Sequence, residues 1–432
     1  MNNMENKRNP PAPGFSAGLA ALKELFGPRN LLGALAGMRR HLGYVFRMPL
    51  PGFSPVFLSG PQAARLALTS GRASLRYRNE ADPVTALLGH GLLVEDGQAH
   101  DDLRRQVMPA LHRKMVSGYI EKMWLRTDQV MAAWQPGQTY DMLVEMRRIA
   151  LLIVMDTLFD VDMTPDLERL FPAILDLLGY ISPGLWLFGA PRKSVSGSLG
   201  LLDDYLFGLI HERQAHPTGG ADLLSSLIAA GMEERLIRDQ MLTVFIAGHD
   251  TSTALLAWAL YLVGRQPQWQ PELALEAAAL PGGAPPEPEQ VESLRLFGQV
   301  IDETLRLYPP IHVGNRLSSA DWSVCGFDIP AGQRVMVSIY ATHHDETQWL
   351  DPERFDPERF APGHPVTPYA YLPFGGGARN CLGANFAQVE ARVVLARLFQ
   401  RHAFRLTRRR VHIHMGATLE PRPGVFMRVE PR

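Results

Sequence analysis

The sequence predicts a mainly α-helical fold with a small β-rich region. Three observations predict it. Helical periodicity dominates the chain up to about residue 310, "GYVFRMPLPGFSPVFL" (43–58) alternates and turns like a hairpin, and a strand–turn–strand pattern begins at Trp322. The chain has 432 residues, 46% of them hydrophobic and 20% charged, with a formal net charge of −1. That balance describes a globular enzyme able to enclose a large pocket, and it offers no charge excess aimed at nucleic acid.

The elements follow in order. "MNNMENKRNPPAPG" (1–14) is polar and Pro-rich, without the basic start and apolar run of a secretion signal, and is expected to be a disordered tail ahead of one catalytic domain over 15–432. Helices are expected over the stretches 99–134, 142–159 and 200–214, each ended by a turn or by Pro and Gly. The apolar run Met241–Gly264 carries His249 and Asp250 at its centre, so a buried helix is expected and no membrane anchor. "PGGAPPEPE" (281–289) reads as a surface loop between helices, and "WSVCGFDIPAGQRV" as strand, turn around Pro330 and Gly332, and strand.

Two cysteines rule out a disulfide framework and leave a multi-thiolate metal site unsupported, which suits a reducing cytoplasm. Cys325, inside the expected strand, reads as a small buried hydrophobe. Cys381 stands in "FGGGARNCLG" (374–383), where it opens a helix whose apolar face is Leu382, Phe386, Val389 and Val393. A helix N-terminus favours thiolate over thiol, and the glycines let backbone approach a flat ligand closely. The combined pattern Phe374, Gly377, Arg379, Cys381, Gly383 resembles the haem-binding loop of the cytochrome P450 family, and the resemblance runs over nearly the whole chain from about residue 15.

The resemblance implies haem b with Cys381 as axial thiolate, Phe374 beside the sulfur and Arg379 on a propionate. "AGHDTST" (247–253) breaks the apolar helix with polar groups that cost free energy unless paired or working. Thr251 there is expected to bond back to the Ala247 carbonyl, loosening the helix beside Gly248. The stretch looks like the family's oxygen-binding groove, which makes Asp250 and Thr251 the acid–alcohol pair that relays protons. "ETLRLYPP" sets Glu303 and Arg306 three apart and is similar to the family's Glu-x-x-Arg element. Of the two arginines in "DPERFDPERF" (351–360), Arg359 rather than Arg354 is expected to complete it. His100 and Arg104 in "HDDLRR", and Arg316 in "VGNRLS", resemble positions that bind the haem carboxylates.

A soluble, cytoplasmic, monomeric monooxygenase of secondary metabolism is therefore expected. Its electrons would come from a separate ferredoxin or flavodoxin with its reductase, docking where Arg104, Arg105, Arg113 and Lys114 form a basic patch. A lipophilic substrate fits: a terpenoid, carotenoid, fatty acid or polyketide, facing the apolar stretches 79–93, 172–191, 311–314 and 416–421. A peroxide-driven enzyme, a thiolate isomerase and a non-catalytic haem sensor are the rival readings, and the Asp250–Thr251 pair argues against them.

Overall fold

Apolar residues spaced for one helical face, or for all of it, decide most of the architecture. The computed structural model describes residues 8–25, 30–49, 53–182, 194–220 and 222–432, and these divide into two compact units, each assembled from separated stretches of chain. The first takes the chain up to Asn79 together with Leu305–Phe355 and Pro362–Cys381. The second takes Glu80–Thr304, Asp356–Ala361 and Leu382–Arg432.

The first unit is built on a five-stranded sheet in the order Val45–Arg47, Val56–Leu58, Arg334–Ser338, Val313–Ser318, Leu75–Arg76. The expected hairpin over 43–58 supplies its first two strands, antiparallel with Phe46 opposite Phe57. Val56–Leu58 then runs parallel to Arg334–Ser338, whereas every other pairing in the sheet is antiparallel. One face buries Val56, Leu58, Val335 and Val337 against Ala63, Ala64 and Ala67 of the Gly60–Leu68 helix. Small alanines let that helix lie close on the strands. Residues 1–7 of the expected tail lie outside the described residues. Over 8–14 the chain is non-helical, and Asp328 N–H and Arg47 N–H donate to the carbonyls of Arg8 and Pro11 (3.0 and 2.8 Å).

The strand–turn–strand expectation needs one correction. Trp322–Val324 and Phe327–Ile329 form a hairpin whose two-residue turn is Cys325–Gly326, with φ of +49° and +82°. Cys325 therefore sits in a turn and not inside a strand, because two successive left-handed residues match the twist of a tight hairpin.

The second unit is mainly helical. Met142–Phe159, with the bounds the sequence predicts, is apolar nearly all round and buried on nearly all sides. It packs along the 32-residue helix Glu234–Arg265, which begins seven residues before the apolar run because Glu233 caps it, its side chain accepting from Arg235 N–H. The expected helix over 99–134 is four pieces: Gly97–Val107, a 3-10 turn at Met108–Leu111, Arg113–Gly118 and Ile120–Met131. Pro109 lacks the N–H that would continue the ladder, so the chain turns there. The helix expected to open at Cys381 begins at Ala384, with Gly383 as its N-cap, and runs to Arg401. A three-stranded sheet and the hairpin His412–Met415 with Leu419–Arg422 complete the unit. Among the described residues no helix is long and apolar enough to cross a membrane.

Candidate active site

In the first unit the loop 374–381 is shaped by glycines in two ways. Gly375 and Gly377 take φ of +70° and +66°, where a side chain is strained. A Cβ on Gly377 would also stand 2.0 Å from the Leu68 carbonyl oxygen, so only glycine lets the loop press on the end of the Gly60–Leu68 helix. Cys381 N–H donates to the Phe374 carbonyl (2.9 Å), closing the loop and leaving the thiol exposed. Arg379 and Arg316 converge on one aromatic ring: their guanidinium carbons lie 3.8 and 3.2 Å from the centroid of Tyr77, and Arg316 also donates to the Tyr77 hydroxyl. Arg316 is buried, carried inward by its sheet strand. The first unit thus brings together Phe374, Arg379, Cys381 and Arg316. Gly383, at φ −82°, belongs to the second unit and needs no glycine for its backbone.

In the second unit the polar stretch lies inside Glu234–Arg265. Thr251 Oγ1 donates to the Ala247 carbonyl (2.7 Å), the back-bond expected from the sequence, yet the helix runs unbroken through it. Gly248 serves packing: a Cβ there would meet Val154 Cγ2 at 2.9 Å, so the glycine seats the neighbouring helix. Ala247 is exposed and Thr251 partly so, whereas His249 and Asp250 turn into the protein. His249 Nδ1 lies 2.7 Å from the Phe245 carbonyl, and burial pulls its pKa down to about 3, so it is neutral.

Asp250 is held from two sides. Arg147 Nη2 donates to Oδ1 (3.0 Å) and Thr418 Oγ1 to Oδ2 (2.9 Å). Arg147 also pairs with Glu420, which pairs in turn with Arg422 (2.8 Å). Burial raises the Asp250 pKa to about 6, with Arg147 opposing and Glu420 assisting. Of 416–421, expected to face substrate, Thr418 bonds Asp250 and Glu420 bonds its partner Arg147. No sequence spacing announces these residues: Arg147 and Thr418 reach Asp250 across more than a hundred residues of chain.

A second buried acid was also missed. Glu390, on Ala384–Arg401, accepts from Ser252 Oγ, its other oxygen has no hydrogen-bond partner, and burial lifts its pKa to about 8. Its place at helical spacing among Ala391, Val393 and Val394 was the available signal.

His100 is buried with Nδ1 2.9 Å from Asp101 Oδ1, and Arg104 is partly buried one turn along. Glu303 accepts from Asp356 N–H (2.9 Å) and lies 3.4 Å from Arg359 Nε, while the Arg354 side chain is exposed. The second PERF copy is the one that turns inward. Arg306, fully buried, donates to the carbonyls of His343 (3.0 Å) and Pro352 (2.8 Å). Of the expected basic patch, Arg105 pairs with Asp102 and Arg113 with Glu292. In the stretch 172–191, residues 183–191 lie outside the described residues.

The family model described as Cytochrome P450 matches residues 11–426. The chain belongs to the cytochrome P450 family. It is 32% identical over 414 residues to "Putative cytochrome P450 135B1" of Mycobacterium tuberculosis, covering 91% of this chain and 84% of that protein. It is 29% identical over 423 residues to "Cyclooctatin synthase" of Streptomyces melanosporofaciens (93% and 90%), and 29% over 430 to "Protein LUTEIN DEFICIENT 5, chloroplastic" of Arabidopsis thaliana (90% and 72%). The protein is accordingly a P450 monooxygenase of mainly α fold, an oxidoreductase whose cofactor is haem b bound through a cysteine thiolate.

The residues present fit that cofactor. A flat dicarboxylate bound through sulfur needs an accessible thiol, backbone that comes close without side chains, and cations for the carboxylates. This P450 supplies an exposed Cys381, a loop in which Gly377 leaves no room for a Cβ, and two guanidiniums gathered on Tyr77.

Proposed function

We propose that this P450 oxygenates a lipophilic, terpenoid-like small molecule, as a cytoplasmic monomer reduced by a separate ferredoxin or flavodoxin. The observation that carries the reading is the exposed thiol of Cys381 on its glycine-bound loop, because burial would have made an ordinary cysteine inert. The likeness to a cyclooctatin synthase supports a terpenoid substrate. Haem b, when bound, supplies the activation of dioxygen that lets one oxygen atom enter substrate.

The remaining roles belong to the chain. Cys381 is the thiolate ligand, Phe374 covers the sulfur, and Arg379, Arg316, His100 and Arg104 hold the propionates. Asp250 takes up a proton and Thr251 passes it on: a carboxyl near neutral pKa can do so at working pH, and the Thr251 hydroxyl stands on the exposed face of the same helix. With Arg105 and Arg113 partly neutralised by carboxylates, exposed Lys114 is the charge of that patch offered to an acidic electron donor.

Two measurements test this. The reduced carbon monoxide complex should show the red-shifted Soret band of thiolate ligation, and Cys381→His should abolish it. Retention of the band in Cys381→Ala, with Cys325 the remaining thiol, would refute the ligand assignment. Titrating a panel of terpenoids, fatty acids and polyketides should give the optical shift of displaced axial water with the terpenoids, and a shift confined to another class would refute the substrate reading.

A further inference from the structure

Asp250 is buried, yet it lines a cavity of about 280 Å³ whose wall comes from the helices Met142–Phe159 and Leu167–Ile181 and the hairpin His412–Arg422. Arg147, Glu420, Arg422, Asp141 and His414 line it too, facing Leu175 and Leu178. The side chain of Arg422 is about half exposed, so the cavity meets solvent there. A buried acid that donates protons repeatedly must be reloaded, and this is a water-sized way in.

We propose that this cavity is the proton-entry port of Asp250, and that Glu420 is the positioning residue that lets the carboxyl take up a proton by sharing Arg147 with it. The proposal rests on Asp250 serving as the proton donor. One guanidinium serves two carboxylates, and Glu420 holds a second guanidinium as well. With Asp250 ionised, two cations face two anions. With Asp250 protonated, Glu420 still neutralises Arg147, and the surplus charge falls on half-exposed Arg422, where water screens it. Protonation therefore leaves no buried cation stranded, which a lone Arg147–Asp250 pair would do. In the uptake step a hydronium in the cavity gives its proton to an Asp250 carboxylate oxygen, one O–H bond breaking as another forms, and leaves as water. Thr418 Oγ1 keeps the second oxygen fixed throughout.

The groups around Asp250 set the direction of each substitution. Glu420→Gln removes the rival anion, gives Arg147 wholly to Asp250 and lowers the pH at which the carboxyl titrates, by roughly one unit or more for a charge at such range. Arg422→Gln, on the solvent side, raises it. Asp141 and His414, also on the cavity wall, respond too: losing Arg422 raises both, and losing Glu420 lowers His414, so the carboxyl followed must be the one absent from Asp250→Asn.

Haem-loaded protein is titrated by infrared difference spectroscopy from about pH 4 to 8, and the carboxylic-acid carbonyl band that vanishes in Asp250→Asn is followed. Opposite displacement of its midpoint in Glu420→Gln and Arg422→Gln is the expected result, with the alkaline limb of kcat moving the same way. An unmoved midpoint in Glu420→Gln overturns the port, and so does a midpoint unmoved in Arg422→Gln should the first variant fail to fold. If the midpoints move as expected while Asp250→Asn keeps full coupled turnover, the port stands and the donor role of Asp250 falls.

Discussion

Thr251 and Ser252 show how one helix carries two kinds of hydroxyl. Thr251 bonds, among the described residues, within its own helix and faces outward, so Thr251→Ala should leave folding, haem loading and substrate affinity nearly intact, since alanine is the better helix former. Coupling should fall instead. NADH or NADPH consumed, hydrogen peroxide released and product formed, measured together on one substrate, should show reducing equivalents diverted to peroxide. Unchanged coupling would remove Thr251 from the mechanism. Ser252, the next residue, faces inward onto Glu390. Burial raises the Glu390 pKa from 4.5 to about 8, so the fold favours its protonated form. The sign follows: its contribution to stability is complete below about pH 4.5 and is lost as pH rises through 8. Glu390→Gln, which mimics the protonated acid, should unfold at nearly the wild-type temperature at pH 5 and about 2 to 4 °C higher at pH 8. Equal midpoints at pH 8 would show Glu390 compensated in some other way.

At the scale of elements, the sequence makes periodic segments legible and leaves their junctions obscure. Met142–Phe159 can be read to the residue because polar Asp141 and Asp160 bracket an apolar run. The break at Pro109 has a local cause, the missing N–H of a proline inside an otherwise helical pattern, whereas the hairpin turn at Cys325–Gly326 depends on tertiary context that outweighs local pattern. Cys381, Asp250 and Thr251 stand out because each is chemically odd where it lies. Arg147, Thr418 and Glu420 do not, since an arginine in a helix or a threonine in a hairpin is ordinary until the fold shows its partner. The Gly248 contact is likewise invisible in one dimension. Gly248→Ala, which sets a Cβ against buried Val154, should cost about 1 to 3 kcal/mol by overpacking the contact between two closely packed helices. Val154→Ala in the same chain should restore part of it. Denaturant midpoints of the single and double variants measure the coupling, and additive losses would separate the two positions.

For the whole molecule, the Glu303–Arg359 pair gathers segments more than fifty residues apart inside the second unit. Removing either partner leaves a buried charge uncompensated at about 3 to 5 kcal/mol. Glu303→Ala and Arg359→Ala should therefore give little soluble haem-loaded protein, whereas the exposed Arg354→Ala should be mild. The ratio of Soret to protein absorbance after purification reads this, and equal damage at both arginines would mean the repeat is used twice.

The parallel pairing of Val56–Leu58 with Arg334–Ser338 has a consequence for biosynthesis. The early hairpin leaves the ribosome about 280 residues before its neighbour in the sheet. At roughly 5 to 20 residues per second that interval is about 15 to 55 s, during which an apolar strand edge stays open to pairing with other chains. Ribosome-stalled chains ending near residue 300 should remain protease-sensitive across 45–58, and chains extended beyond about residue 400 should protect it.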